Sequence, residues 1–245
     1  MEGSGPSHLA SELCSEWAQG RIEARSYSGP CFITVQTTGG DLPPWAPNLP
    51  LEGEVYLEVL GISEKTQTLP LASQNPSDCV TFYDEALANA RLPPSVMHIA
   101  VAKNELEGAM EGFVSTFYAP QLIGVELFCI KEIAGVARSD LGAEALHPRS
   151  SEGRAFVLPG LAQGSGALAT EVRYRLDSLA RDGFDGGVFL HTRITDPSFE
   201  DWSLELFSDF YEKALPDGSS ACITATTEAI HDNVCVYAFK RRNPL

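Results

Sequence analysis

The sequence predicts an α/β protein with a largely parallel sheet that is covered by helices on both faces and preceded by a small β-rich unit. Two observations predict it. From about residue 79 onward, apolar segments of strand length alternate with segments of helical periodicity, which is typical of parallel sheets. The chain then closes with two strand-like segments in succession, SACITATT and NVCVYAFKRR, which indicate a final antiparallel pair.

Residues 1–74 are predicted to hold an N-terminal extension and the small β-rich unit. Residues 1–28 are polar, and we expect them to be loosely ordered or helical around Leu9–Ile22. Segments rich in β-branched residues follow, separated by a Gly/Pro-rich loop. They predict one strand and then a hairpin: CFITVQT at 31–37, EVYLEVL at 54–60 and TQTLPL at 66–71.

Residues 75–245 are predicted to form the main α/β domain. The first helix is expected over 79–92, where apolar residues recur at helical spacing and Pro93 ends the element. The remaining strands are predicted at 96–101, 121–127, RAFVL, EVRYRL, 186–191 and the two final segments. The remaining helices are predicted at 105–117, in FCIKEIAGVAR and at 201–215.

Composition narrows the class of partner. Acidic residues outnumber basic ones by 33 to 17, which gives a formal net charge of −16. Such a field repels phosphate backbones and anionic lipid, so we expect no nucleic acid and no membrane as partner. The six cysteines form no C-x-x-C pair, and the N-terminus lacks the pattern of a signal peptide. We therefore expect a cytoplasmic protein that acts on a small molecule, and we leave a homodimer open.

Four segments of residues 75–245 carry motifs that can be compared with a known family. In chain order they are YDEALANARLPPSVMHI at 83–99, IGVELFCIKEIAGVAR at 123–138, VRYRLDSLARDGFDGGVFLH at 172–191, and the segment 195–225 with its Asp-Pro and LPDG turns. In this order the segments resemble the class I S-adenosylmethionine-dependent methyltransferase fold, and within it the spermidine synthase-type aminopropyltransferases. The resemblance implies a Rossmann-like sheet over residues 75–245. It also implies methyl or aminopropyl transfer, with S-adenosylmethionine or a related S-adenosyl nucleoside as cofactor.

The resemblance further implies a cofactor site at the carboxyl ends of the strands. Ala100 stands at the turn that meets the methionine moiety. Glu126 would accept hydrogen bonds from the ribose hydroxyls, and Asp177 would accept one from the adenine amino group.

The same resemblance implies a substrate side of the site. Tyr83 would line the substrate pocket. Asp196, in the Asp-Pro turn, would hold and deprotonate the acceptor, and His191 is a second candidate for proton transfer.

The sequence departs from the family pattern in two places, the turn after the first strand and the Asp-x-x-Asp-Pro motif. Lys103 replaces an acid beside the expected sulfonium, and the glycines of that turn are replaced by Ala and Val. Arg193 replaces the first Asp of the Asp-x-x-Asp-Pro motif. The sequence therefore leaves two functions open, a transferase with reduced or lost activity and a catalytically silent member of the fold that serves as a binding or scaffold protein.

An acetyltransferase is an alternative with one motif in its favour. The segment AQGSGAL at 162–168 is a Gln-Gly-x-Gly turn, whose backbone N–H groups could bind a pyrophosphate. A flexible Gly/Ser loop explains the same segment, and the strand formers in VRYRL favour the methyltransferase order instead.

Overall fold

The fold is described from a computed structural model of the chain. The described residues are 17–24, 31–38, 41–46, 55–64, 78–88, 92–119, 121–136, 150–159, 165–193, 208–215, 220–227 and 233–241. The strands are β1 (Trp17–Ala24), β2 (Cys31–Thr38), β3 (Val55–Ile62), β4 (Cys79–Asp84), β5 (Met97–Val101), β6 (Gln121–Ile123), β7 (Ser151–Pro159), β8 (Gly187–Arg193), β9 (Ser220–Thr226) and β10 (Asn233–Phe239). The helices are α1 (Leu106–Tyr118), α2 (Leu127–Ile133) and α3 (Ser165–Arg181), with short 3₁₀ turns at Glu85–Leu87 and Lys103–Glu105 and a π-helical segment at Phe210–Ala214.

The ten strands of the described residues form one mixed sheet in the order β1-β2-β3-β4-β5-β7-β10-β8-β9-β6. Seven of them share one direction, namely β2, β3, β4, β5, β7, β8 and β9. The strands β1, β6 and β10 run the opposite way. The predicted α/β class is confirmed.

The two faces of the sheet carry separate apolar cores. Alternate residues of β10 show the division, since Cys235 and Tyr237 belong to the core under α1 and α2, whereas Val234 and Val236 belong to the core under α3. On the α1 face, the rings of Phe113 and Tyr237 pack edge to face with centroids 5.7 Å apart. The period-two pattern of the strands thus supplies both layers of helices with apolar surface.

The segment EVRYRL was predicted as a strand, but it lies within α3. Its β-forming residues Val172 and Tyr174 suggested a strand, yet the buried side chains of the segment follow a helical spacing. Leu168, Val172 and Leu176 recur every four residues and are buried, while Tyr174 is 68% exposed. Packing of this apolar stripe on the sheet outweighs local β propensity.

The reverse error occurs over 79–92, where a helix was predicted. Residues 79–84 form β4, with Val80 and Phe82 in the core under α1, while Thr81 and Tyr83 point to the other face. Only the 3₁₀ turn at Glu85–Leu87 follows, capped by the Asp84 carboxylate, which accepts a hydrogen bond from the Ala86 N–H at 3.0 Å. The prediction mistook the two-residue alternation of side chains in β4 for the spacing of a helix.

The strand order contradicts the predicted methyltransferase sheet. That prediction required residues 96–101, 122–127 and 186–191 to be parallel neighbours. Instead, β5 lies between β4 and β7, β8 lies between β10 and β9, and β6 pairs antiparallel with β9 at the edge of the sheet. The two final strands exist as predicted, but they do not pair with each other, because β8 separates them.

The N-terminal strands extend the same sheet. The strand β1 overlaps the region that was expected to be loosely ordered or helical, so that prediction is wrong over 17–22. The predicted hairpin partner at 66–71 lies outside the described residues, and β3 is already paired on both sides, by β2 and β4. The predicted boundary near residue 74 also lies outside them, so the division into two units stays a prediction.

None of the helices in the described ranges is long and apolar enough to cross a membrane.

Candidate ligand site at the carboxyl edge of the sheet

Two neighbouring parallel strands send the chain to opposite faces of the sheet. From β5 the chain enters α1 on one face, and from β7 it enters α3 on the other. In open α/β sheets, ligands bind outside the carboxyl ends of the strands at such a topological switch point. The carboxyl ends of β5 and β7 are therefore the candidate site.

A gap opens between these two strands because β7 is longer. Ala100 pairs with Arg154, so β5 ends level with Ala155, and residues 156–159 of β7 continue beyond it. We call this region, bounded by Ala102–Glu105 and Val157–Pro159, the β5/β7 gap.

Glu105 joins three elements beside the gap. Its Oε2 accepts a hydrogen bond from the Val157 backbone N–H at 3.0 Å, a group that β5 is too short to reach. Its Oε1 lies 3.8 Å from a guanidinium nitrogen of Arg175 on α3. That guanidinium also stacks over the Phe156 ring, 5.2 Å from its centroid. The Glu105 side chain thus fixes the position of the 3₁₀ turn against β7.

The turn after β5 presents a cation to solvent. Lys103 and Asn104 are both exposed. In the described part of the chain, Lys103 forms no ion pair, whereas Lys131 and Lys240 each pair with a carboxylate. The Lys103 side chain is therefore exposed on the turn that bounds the gap.

In the sequence, a glycine-rich segment separates β7 from α3. Only five residues, Gly160 to Gly164, join β7 to α3; they lie outside the described residues, and their sequence is GLAQG. The helix then continues with Ser165 and Gly166, and its first turn contains no acidic residue. The N-terminus of a 17-residue helix carries free N–H groups and a partial positive charge.

A buried hydroxyl without a partner lies on the sheet under this helix. Thr192 is fully buried, and its Oγ1 has no hydrogen-bond partner within the described ranges. Thr192 shares a row across the sheet with Val234 and Leu158, two core residues of the α3 face. Thr192 therefore faces the side of the sheet that α3 covers. It is the last residue but one of β8, close to the carboxyl ends of the parallel strands. A buried polar atom of this kind ordinarily has a partner, which a ligand or a water molecule can supply.

The three residues predicted to hold the cofactor are not brought together. Ala100 lies inside β5, with 7% of its surface exposed. Glu126 is an exposed residue at the start of α2, beyond β6, whose direction leads away from the carboxyl edge. Asp177 lies on α3, on the opposite face, where it pairs with Arg173 at 3.0 Å. Their roles toward a nucleoside stay predictions, without a shared geometry.

The substrate-side residues are also separated. Tyr83 is a β4 residue beside Ala100, half-buried, and its pKa is raised by burial and by the nearby Glu152 carboxylate. Asp196 lies outside the described residues.

His191 is fully buried beneath α1. Its Nδ1 lies 2.7 Å from Thr224 Oγ1, and its Nε2 lies 3.0 Å from Ser115 Oγ and 3.1 Å from Thr226 Oγ1. Burial, together with the charge of Arg193, lowers the pKa of His191 to about 3. A neutral imidazole enclosed by three hydroxyls links two strands to α1, and solvent does not reach it.

Arg193 is neutralised within the protein. Its guanidinium lies 2.6 Å from the Glu111 carboxylate on α1, and its side chain is only 6% exposed. Arg193, which replaces the first Asp of the expected Asp-x-x-Asp-Pro motif, therefore presents no unpaired charge to a ligand. Among the described residues, no group of three His, Cys, Asp or Glu side chains is placed to hold a metal ion.

Sequence reasoning missed Glu105 and Thr192 as parts of the edge. The signal that pointed toward it was the Gly/Ser-rich segment at 162–168, whose described residues 165–168 form the first turn of α3. Glu105 depends on the different lengths of β5 and β7, and Thr192 on the pairing of β8 with β10. The local sequence predicts neither the difference in strand length nor the strand pairing.

No family model matches the sequence, and no curated protein matches it. Among solved structures, the fold is similar to the W319Y mutant of FtsZ from M. jannaschii, with a TM-score of 0.46 and 11% identity. The similarity covers 77% of this chain and 66% of that one, so the chain spans less than two thirds of the FtsZ length. At this identity the similarity concerns the fold alone. The predicted methyltransferase or aminopropyltransferase family is wrong, because the order and directions of the strands differ from the sheet that this family requires. The predicted transferase function and its silent scaffold variant, which rested on that family, are wrong with it.

Proposed function

We propose that the protein binds a small phosphorylated molecule in the β5/β7 gap. The observation that carries the proposal is the switch point itself, where a glycine-rich segment joins the end of β7 to the N-terminus of α3. Glycines let a backbone approach a phosphate closely, and helix N-termini bind anions through free N–H groups.

Local charge supports an anionic ligand despite the acidity of the whole chain. Lys103, in the turn that bounds the gap, is exposed, and the Glu105 carboxylate of the same turn lies 3.8 Å from the Arg175 guanidinium, which offsets its charge. Distant surface acids are screened at physiological salt within about 8 Å, so local groups govern binding. The net charge of −16 then works against long nucleic acids but does not exclude one phosphate group.

Calorimetric titration with pyrophosphate, ADP and adenosine tests the proposal. We expect pyrophosphate and ADP to bind and adenosine to bind far more weakly, because the phosphate carries the recognition. Lys103→Gln should weaken pyrophosphate binding about tenfold, the equivalent of roughly 1.4 kcal/mol for one charge-assisted contact. Lys240→Gln is the matched control. Lys240 is exposed and pairs with Glu152, and it follows β10, whose last residue lies at the edge of the sheet opposite to the proposed site. Binding of adenosine as tight as that of ADP would refute phosphate recognition.

A further inference from the structure

A carboxylate of the chain itself lies in the β5/β7 gap. Oε2 of Glu105 accepts a hydrogen bond from the Val157 N–H at 3.0 Å, and Oε1 lies 3.8 Å from a guanidinium nitrogen of Arg175. The Val157 N–H lies beyond the end of β5, so without Glu105 it would open onto the gap. The side chains of Glu105 and Arg175 are 22% and 38% exposed, so solvent reaches both. The gap thus holds a backbone donor and a cation, with an internal anion between them.

The Glu105 carboxylate fits these two groups unevenly. Its distance to the Val157 N–H is that of a hydrogen bond, whereas 3.8 Å to the guanidinium is longer than one. Arg175 is held in place by other contacts, since its Nε donates to Glu171 Oε1 at 2.9 Å and the guanidinium stacks over the Phe156 ring. A planar guanidinium fixed in this way is already ordered for a further acceptor. A phosphate group has more acceptor oxygens and more charge, so it can take hydrogen bonds from the N–H and the guanidinium together.

We infer that the Val157 N–H and the Arg175 guanidinium bind the phosphate group of the ligand, and that the Glu105 carboxylate occupies its place in the free protein. The inference rests on the proposed function and names the groups that bind the ligand there. The Glu105 side chain competes as a tethered group at high effective concentration, so a ligand with a single carboxylate gains nothing by replacing it. The site therefore selects phosphate monoesters and diphosphates over carboxylates, because only the former bring additional charge and acceptors.

Two variants with opposite expected effects test this role by calorimetric titration with pyrophosphate. Glu105→Ala should tighten binding roughly fivefold, because the competing charge is removed and the Val157 N–H is freed. Arg175→Gln should weaken binding about tenfold, because a charge-assisted contact is lost. The matched controls are Glu107→Ala, an exposed carboxylate two residues further on, and Arg181→Gln, an exposed cation in the last turn of α3. Each control should change the affinity by less than about twofold, because exposed charges are screened.

Thermal unfolding separates this role from a purely structural one. Pyrophosphate should raise the unfolding temperature of Glu105→Ala more than that of the wild type, because the ligand supplies the acceptor that the Val157 N–H has lost. Glu105→Gln keeps an acceptor without the charge, and it should also bind more tightly than the wild type, which serves if Glu105→Ala does not fold.

The outcomes distinguish this inference from the proposed function. Equal or weaker binding by both Glu105 variants, or unchanged binding by Arg175→Gln, would overturn this inference alone if the wild type binds pyrophosphate. Absence of binding in the wild type and in both Glu105 variants would overturn the proposed function as well.

Discussion

The carboxylate of Glu105 accepts a hydrogen bond from the backbone N–H of Val157 at 3.0 Å, across the gap that opens where β5 ends and β7 continues. In a longer β5 this N–H would be a rung of the sheet. Here a side chain from the following turn takes the place of the missing strand, which ties the turn that bears Lys103 to β7.

Loss of this contact should destabilise the protein. In Glu105→Ala, the Val157 N–H loses its partner, which costs about 1–3 kcal/mol of the free energy of unfolding. Chemical denaturation measures the effect. Glu107→Ala is the control, since Glu107 is exposed on the first turn of α1, and its replacement should change stability by less than about 0.5 kcal/mol. Equal stability of Glu105→Ala and the wild type would show that the contact does not hold the turn.

The buried histidine predicts a dependence of stability on pH. The pKa of His191 is about 3 in the folded protein and ordinarily 6.5, so between these values the unfolded chain binds more protons. Stability should therefore fall as the pH drops below 6.5, by up to about 1.4 kcal/mol per pH unit, and the loss should be complete near pH 3.

Denaturation of the wild type and of His191→Gln at pH 7.5, 6 and 5 isolates this contribution. The stability difference between the two proteins should shrink as the pH falls, because only the wild type has the imidazole to protonate. His98→Gln is the control; His98 is half-buried on β5 and contacts the carbonyl oxygen of Pro93 at 2.9 Å. A difference that stays constant over this range would mean that His191 is not buried as a neutral group.

Close packing of α1 on β10 predicts unequal tolerance of two glycines. A Cβ at Gly112 would lie 3.0 Å from the Tyr237 hydroxyl oxygen and 3.0 Å from the Cys235 Cβ, both immobile core atoms. Gly112→Ala should cost about 1–3 kcal/mol through overpacking. One turn earlier, a Cβ at Gly108 would meet Val157 at an ordinary 3.6 Å. Gly108→Ala should then be neutral or stabilise by up to about 1 kcal/mol, as Ala favours helix. Thermal unfolding of both variants checks the contrast.

Local sequence patterns predicted most of the elements but not their arrangement. Strands β2, β5 and β8 and helix α1 were predicted close to their observed bounds, because each has an unbroken apolar pattern and clear flanking signals. The pattern failed where two periods compete: in α3, four-residue spacing overrides the β-forming VRYRL, and in β4, alternation resembles a short helical stripe.

The order of the strands depends on contacts between distant segments. Because β10 lies between β7 and β8, it pairs with residues about 80 positions away in β7 and about 45 positions away in β8. The local sequence of these strands does not predict such pairing. The methyltransferase interpretation followed from the order of motifs along the chain, on the assumption that strands near in sequence are neighbours. Glu126 and Asp177 were placed at one site because both were expected to end parallel strands. Asp177 lies within α3 instead, and Glu126 follows β6, which runs in the opposite direction.

Hydrogen–deuterium exchange with and without pyrophosphate tests the central claim most directly, because it locates the ligand as well as detecting it. We expect slower exchange of the amide groups of Ala102–Leu106 and of the first turn of α3, with no change in β1 and β2 at the far edge of the sheet. Protection confined to other elements, or no protection at saturating pyrophosphate, would contradict a phosphate site in the β5/β7 gap.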